Sequence, residues 1–154
     1  MDQNILQTVK QSAIYLLRQH EPETDVYAEE IMRTQGEEAN EGKDPWYFVE
    51  VIPTSFTTMG PDQTEVAVTV AIDYHDPEEC IWKYGEKAIE LDRVFRPVFP
   101  FEYGGEQRRI TVTRLQSNIS GRLLHLTFPL TFLVSDEPEE VPVIEELQTE
   151  MERG

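Results

Sequence analysis

Between Thr64 and Arg96 the chain changes its hydrophobic period from two to about three and a half. Val66, Val68, Val70, Ile72 and Tyr74 are apolar, while Glu65, Ala67, Thr69, Ala71 and Asp73 fill the positions between them. A period of two with β-branched residues on one face predicts a half-buried strand. Asp76-Pro77-Glu78-Glu79 follows at once. It offers an N-cap acceptor, a proline whose missing N–H costs nothing in a first turn, and two acids for the positive end of a helix dipole. A helix is therefore expected from this point. Its stripe is Ile81, Tyr84, Ala88, Leu91 and Phe95, with Pro97 ending it, and that spacing packs one face back on the sheet.

The rest of the chain reads in the same way. Ile5, Leu6, Val9, Ala13, Leu16 and Leu17 mark an amphipathic helix over residues 2–18. Asp25 to Ile31 reads as a short strand anchored by Val26 and Tyr27, and Thr34 to Asp44, with no apolar residue larger than alanine, as an exposed, mobile loop. Pro45 to Ile52 is apolar on both faces, as a central or covered strand requires. Met59-Gly60-Pro61-Asp62 turns it into the strand at 64–74, so 46–74 forms an antiparallel hairpin. Val98 to Gly105 is a proline-punctuated loop carrying Phe99, Phe101 and Tyr103. Gln107 to Leu115 is a strand with Ile110 and Val112 on one side, Asn118 to Gly121 is a turn, and Leu124, Leu126, Phe128, Leu130 and Phe132 alternate along a last strand. Pro129 cannot donate to a ladder, which puts that strand at an edge or interrupts it with a bulge. The order implies an α+β fold: a two-layer sandwich of a mostly antiparallel sheet with two helices on one face. Residues 1–135 form a single domain in this reading. Residues 136–154 form an acidic tail, disordered or weakly docked, with a faint helical pattern in Val143, Ile144, Leu147 and Met151.

Charge adds a second layer of information. The 154 residues carry 30 acids and 13 bases, a net charge of −17. Residues 21–44 hold nine acids and two bases, residues 136–154 eight acids and one base, and the remainder thirteen acids and ten bases. An acidic chain of this kind is not built to grip nucleic acid or an anionic membrane. The single cysteine, Cys80, excludes an intrachain disulfide and fits a reducing compartment. Near a helix start its thiol has one reason to be reactive, but the flanking acids oppose a thiolate, and a small packing residue is the plainer reading. Neither a signal pattern nor a membrane-length apolar run is present, which points to a soluble protein that is not exported.

Candidate chemistry is sparse. The one local metal-like set is Asp73, His75, Asp76, Glu79 and Cys80, a mixed donor set possible for zinc. Asp76 and Glu79 already have a capping role, and no second His or Cys stands at a ligand spacing. Phosphate-loop and nucleophile-elbow motifs are missing, so the reading is of a non-enzyme with no cofactor and no metal. Lys83, Lys87, Arg93 and Arg96 fall on the outer side of the predicted second helix, where Glu79 with Lys83 and Asp92 with Arg96 form ordinary pairs four apart. Arg108, Arg109, Arg114 and Arg122 cluster on the strand expected at 107–115 and its turn, where they are less easily paired locally, and are candidates to meet an acidic neighbour.

The N-terminal helix, Val26-Tyr27-Ala28-Glu29-Glu30, Pro45-Trp46-Tyr47-Phe48-Val49, a helix after Tyr74-His75-Asp76-Pro77, and a closing Leu124-His125-Leu126-Thr127-Phe128 together resemble the tail terminator proteins of tailed bacteriophages and related prophages. The resemblance covers residues 2–134; the 34–44 loop and the acidic tail depart from it. It implies a structural virion protein made in the host bacterial cytoplasm and placed at the head-proximal end of the tail. There a homohexameric ring would cap the tail tube, stop its polymerisation and offer the joining surface for head completion or connector proteins, while DNA passes the lumen without specific binding. Trp46, Phe56, Phe99, Phe101 and Tyr103 are the apolar candidates for contacts with another copy or with the tube protein, and Arg108 and Arg109 the charged ones. Two other classes fit the residues: an acidic adaptor binding a basic protein, and a small ligand-binding domain or enzyme with a pocket between helices and sheet.

Overall fold

The computed structural model describes residues 5–135. In chain order the elements are α1 (Ile5–His20), β1 (Asp25–Tyr27), α2 (Glu30–Asn40), β2 (Trp46–Gly60), β3 (Gln63–His75), α3 (Ile81–Phe95), β4 (Val98–Tyr103), β5 (Glu106–Thr111), β6 (Gln116–Ser120) and β7 (Leu123–Ser135). The alternating strand expected at 64–74 is β3, the middle of a five-stranded sheet ordered β1-β2-β3-β7-β6. The short β1 runs parallel to β2, and the other pairs are antiparallel. β4 and β5 form a separate two-stranded hairpin.

Register explains the burial. Tyr74 lies between Tyr47 and Leu124, Ile72 between Val49 and Leu126, and Val70 between Val51 and Phe128. Directly opposed residues share a face, so these rows build one inner surface, and Val66 to Tyr74 and Leu124 to Val134 are buried at every second position. Against it lie Ile5, Val9, Ala13 and Leu17 of α1, Tyr84, Leu91 and Phe95 of α3, and Phe99 and Phe101 of β4. The α+β sandwich with α1 and α3 on one face is thus the observed architecture. β6 pairs with β7 no further than Thr127, opposite Gln116, so Pro129 sits on a stretch of β7 with no strand on that side.

Four local expectations differ from the structure. First, the expected 34–44 loop is largely helix: α2 starts at Glu30, cuts the short strand to three residues, and ends at Asn40, followed by Glu41 in the left-handed region. α2 buries none of its side chains, so there was no apolar stripe to read. It lies on the other side of the sheet from α1 and α3, because Arg33 sits 4.9 Å over the Trp46 ring and Trp46 faces opposite to the inward Tyr47. Second, Asp76-Pro77-Glu78-Glu79 is a turn, not a first helical turn. Asp76 Oδ1 accepts from Glu78 N at 2.8 Å, its carbonyl accepts from Glu79 N at 2.9 Å, and Glu79 has φ 49°. The helix begins after Cys80, which leaves Ile81 at 72 % exposure instead of in the stripe. Third, Val98 to Tyr103 is a strand, with Pro100 paired opposite Arg109. Fourth, the strand expected at 107–115 stops at Thr111, and residues 116–120 pair as β6 where a turn was expected from Asn118. The expected tail, residues 136–154, lies outside the described residues, as do residues 2–4 of the N-terminal helix.

Candidate assembly surfaces

The aromatic candidates divide by environment. Trp46 is 3 % exposed, held between Arg33 and the His75 ring, whose centroid is 5.4 Å away. Phe99 and Phe101 are core residues: Phe99 stacks near Phe95 and Phe128 at 6.4 and 5.8 Å, and Phe101 meets Phe132 at 5.2 Å. A segment that alternates Phe99, Phe101 inward and Pro100, Glu102 outward has put its aromatic surface into its own protomer. Tyr103 is half-buried under Arg108, whose Cζ lies 5.5 Å from the ring centroid. Arg108 also donates to the Leu133 carbonyl, while Arg109 points to solvent. Phe56, at 51 % exposure, remains open.

Sequence reasoning missed the most exposed apolar group. On α3, Trp82 is 83 % exposed, with Ile81 and Ile89 also exposed. With Gly85 these residues stand at i, i+1, i+4 and i+8, one flank of the helix beside the buried stripe. A Cβ at Gly85 would meet nothing within 4 Å, so the protomer itself supplies no packing reason for a glycine there. The available signal was Trp82 lying off the core stripe, which the helix start assigned at Asp76 obscured. β2 also carries exposed apolar side chains, but a bulge between Pro53 and Ser55 separates them: Ile52, opposite Thr69, is on the outer face, and Phe56, opposite Val66, is on the core-side face. Both lie where β1 has ceased to pair and the strand edge is open.

The ionisable residues form structural junctions. Glu21 accepts from Tyr47 Oη at 2.6 Å, from Thr24 Oγ1 at 2.8 Å and from Lys87 Nζ. Lys87 is also 2.7 Å from Glu90, and its ammonium lies over the Tyr74 ring. Burial alone would raise the Glu21 carboxyl, but these donors outweigh it and hold it below its ordinary value. Burial opposes charge on Lys87 as well, and the two carboxylates still raise it. Burial, reinforced by Glu21, pushes the Tyr47 phenol well above the usual range. The junction ties the end of α1 to β2, β3 and α3.

The metal set considered from sequence does not converge. Asp73 Oδ1 is 2.5 Å from His125 Nδ1, Asp76 caps its turn, and His75 stacks on Trp46. Among the described residues, His20, Glu21 and Glu90 are the group whose ligand atoms come within 4.8 Å of one another, and Lys87 already supplies their cation. A groove of about 1110 Å³ runs between α1 and the β4–β5 hairpin, lined by Gln7, Gln11, Tyr15, Arg18, Glu102 and Gln107 among others. Its lining mixes amides, the Thr8 and Ser12 hydroxyls and one ion of each sign, Arg18 and Glu102, and Ser12 Oγ donates to the Thr8 carbonyl at 3.0 Å.

The exposed apolar side chains of α3 and β2 are surface features to set beside what comparison finds. A family model described as phage tail terminator protein matches residues 5–142. The chain belongs to that family. A search of curated proteins returns no match. Membership makes the chain a structural component of the phage tail, working with other tail and head proteins in the virion. None of the described helices is long and apolar enough to cross a membrane. The exposed apolar side chains of the described residues include Trp82, Ile81 and Ile89 on α3 and Phe56 on β2.

Proposed function

We propose that this tail terminator forms a homohexameric ring on the last ring of the tail tube, stops tube polymerisation and presents the surface to which head completion proteins join. It does so as one domain, residues 1–135, followed by an acidic tail, and acts at the head-proximal end of the tail after synthesis in the host cytoplasm. The family match carries the reading. The surface supports it. A ring needs a heterologous contact, one patch meeting a different patch and closing after a fixed rotation, and Ile81, Trp82 and Ile89 on α3 and Phe56 at the open edge of β2 are two unlike exposed apolar surfaces. A contiguous exposed apolar group such as that on α3 marks an interaction site more often than idle surface. With a net charge of −17, acids facing a lumen would repel phosphates and let DNA pass without adhering.

Two measurements test this. Native mass spectrometry of the purified protein, alone and with its tube protein, is expected to give six copies, alone or once the tube is present. Phage lacking the gene are expected to make tubes of uncontrolled length that fail to join heads, restored by the wild-type chain. Tails of normal length in the deletion, or a stable dimer that ignores the tube protein, would refute the proposal.

A further inference from the structure

On α3, Trp82, Glu86, Ile89 and Arg93 stand at i, i+4, i+7 and i+11 and are all exposed, on the side turned away from buried Tyr84, Leu91 and Phe95. The outer face of the sheet lies on the opposite side of the protomer. α2 sits over its Trp46 end, and farther along Glu50 and Ile52 of β2 and Thr131 and Leu133 of β7 are exposed. Thr69 and Thr127, half-buried between them, border a hollow of about 290 Å³ whose rim includes Arg114, Gln116 and Pro129. Among the described residues Glu50, Glu86, Arg93 and Arg114 make neither a hydrogen bond nor an ion pair.

The spacings of these four charges agree. Arg93 follows Glu86 by seven residues, about 10 Å along a helix. Glu50 is aligned through Ala71 with Thr127, two strand spacings or about 10 Å away, and Arg114 shares the hollow with Thr127. A helix laid across the strands therefore sets Arg93 on Glu50 and Glu86 on Arg114 at once. In that direction Ile89 comes down over Ala71, and Trp82, one turn beyond Glu86, over the hollow. The reverse direction opposes Arg93 to Arg114 and Glu86 to Glu50. Gly85, with open space at its Cβ position, and the small side chains of Thr69 and Ala71 permit a close approach.

We propose that α3 of one protomer lies across the outer sheet face of a second copy, its Glu86 and Arg93 paired with that copy's Arg114 and Glu50 and its Trp82 seated in the hollow. The inference rests on the ring reading above and names the two faces that meet. Charge complementarity selects the occupant: in a chain of net charge −17, which repels its own copies, this contact sets each of two unpaired arginines against an unpaired acid. The faces are unlike and on opposite sides of the protomer, so the contact is heterologous and repeats from copy to copy. Phe56, on the core-side face, takes no part in it.

Native mass spectrometry of the full chain over a dilution series, with the tube protein where assembly requires it, tests the contact. Glu86→Arg and Arg114→Glu are each expected to raise the protomer concentration needed for assembly by about tenfold or more, and the doubly substituted chain to recover most of the loss. Arg93→Glu and Glu50→Arg should behave as a second such pair, with unchanged melting temperatures as the control of folding. Hexamers that form as readily in all four single variants would overturn the inference and leave the ring reading standing. Losses that the double variants do not recover would overturn it as well, by assigning these residues to separate contacts. A charge-swap-dependent contact in a species other than the hexamer would uphold the inference and refute the ring. A wild-type chain that stays monomeric with and without the tube protein would refute both.

Discussion

At Phe99 and Phe56 the same side chain has opposite consequences. Phe99 is fully buried between Phe95, Phe101 and Phe128, whereas Phe56 is 51 % exposed on β2. Phe99→Ala is expected to cost about 3–5 kcal/mol, through lost transfer energy and the cavity left behind. Urea unfolding would read this as a lower midpoint with unchanged slope. Phe56→Ala should change stability by no more than about 1 kcal/mol, because little buried area is removed, and should act on assembly instead. The sequence showed both phenylalanines but not their difference. Pro97 precedes the 98–105 stretch and Pro100 interrupts it, and prolines normally argue against a strand. Here β4 pairs with β5 alone, so one edge of it needs no donor from Pro100. Gly36 is a second position whose role needs the fold. A Cβ there would lie 2.1 Å from Tyr27 Oη and 2.7 Å from Cζ, so Gly36→Ala must push α2 off the Tyr27 ring despite alanine's better helix propensity. A red-shifted emission from Trp46 relative to Gly36 would report its exposure, and unchanged emission would contradict this account.

Among the elements, those legible in the sequence are the ones whose burial is one-sided. β3 and β7 alternate against a continuous core, and α1 shows a stripe because Val9, Ala13 and Leu17 all reach the sheet. α2 was not legible, because it buries nothing and is held by polar means. Arg33 bridges Glu30 and Glu37 along the helix and covers Trp46. The start of α3 was misplaced by four residues' worth of good capping chemistry that serves a turn. Where elements meet, the Glu21–Lys87 junction sets a pH dependence. A carboxyl held below its ordinary value of 4.5 stabilises the fold above that pH, and the contribution is lost as pH falls through the folded value. An ammonium held above its ordinary 10.5 contributes fully below that pH and loses its effect as pH rises further. The junction is therefore intact across the neutral range. Thermal unfolding from about pH 7 down to about pH 3 should show a wild-type melting temperature falling below about pH 4.5, with a shallower fall in Glu21→Gln. Parallel curves would place the acid sensitivity elsewhere.

For the whole molecule the question is why a folded protomer leaves Trp82 83 % exposed and keeps a glycine beside it in mid-helix. A helix-interior glycine costs about 1 kcal/mol against alanine, and Gly85 has open space where its Cβ would be. Inside the protomer alanine is the better residue. The cost is recovered if a partner's backbone approaches the helix at Gly85 with Trp82 and Ile89 packed on either side, since a missing Cβ allows a closer approach. The two states then pull in opposite directions. Gly85→Ala is expected to stabilise the isolated protomer by up to about 1 kcal/mol and to weaken assembly. Trp82→Ala should leave stability nearly unchanged, because so little of the indole is buried, and should weaken assembly more, as loss of a large aromatic anchor does. Calorimetry of the protomer paired with complementation of tail joining separates the two effects. A Gly85→Ala chain that is both more stable and fully functional would remove the α3 flank from the contact surface and leave the open edge of β2, with Phe56, as the face to probe.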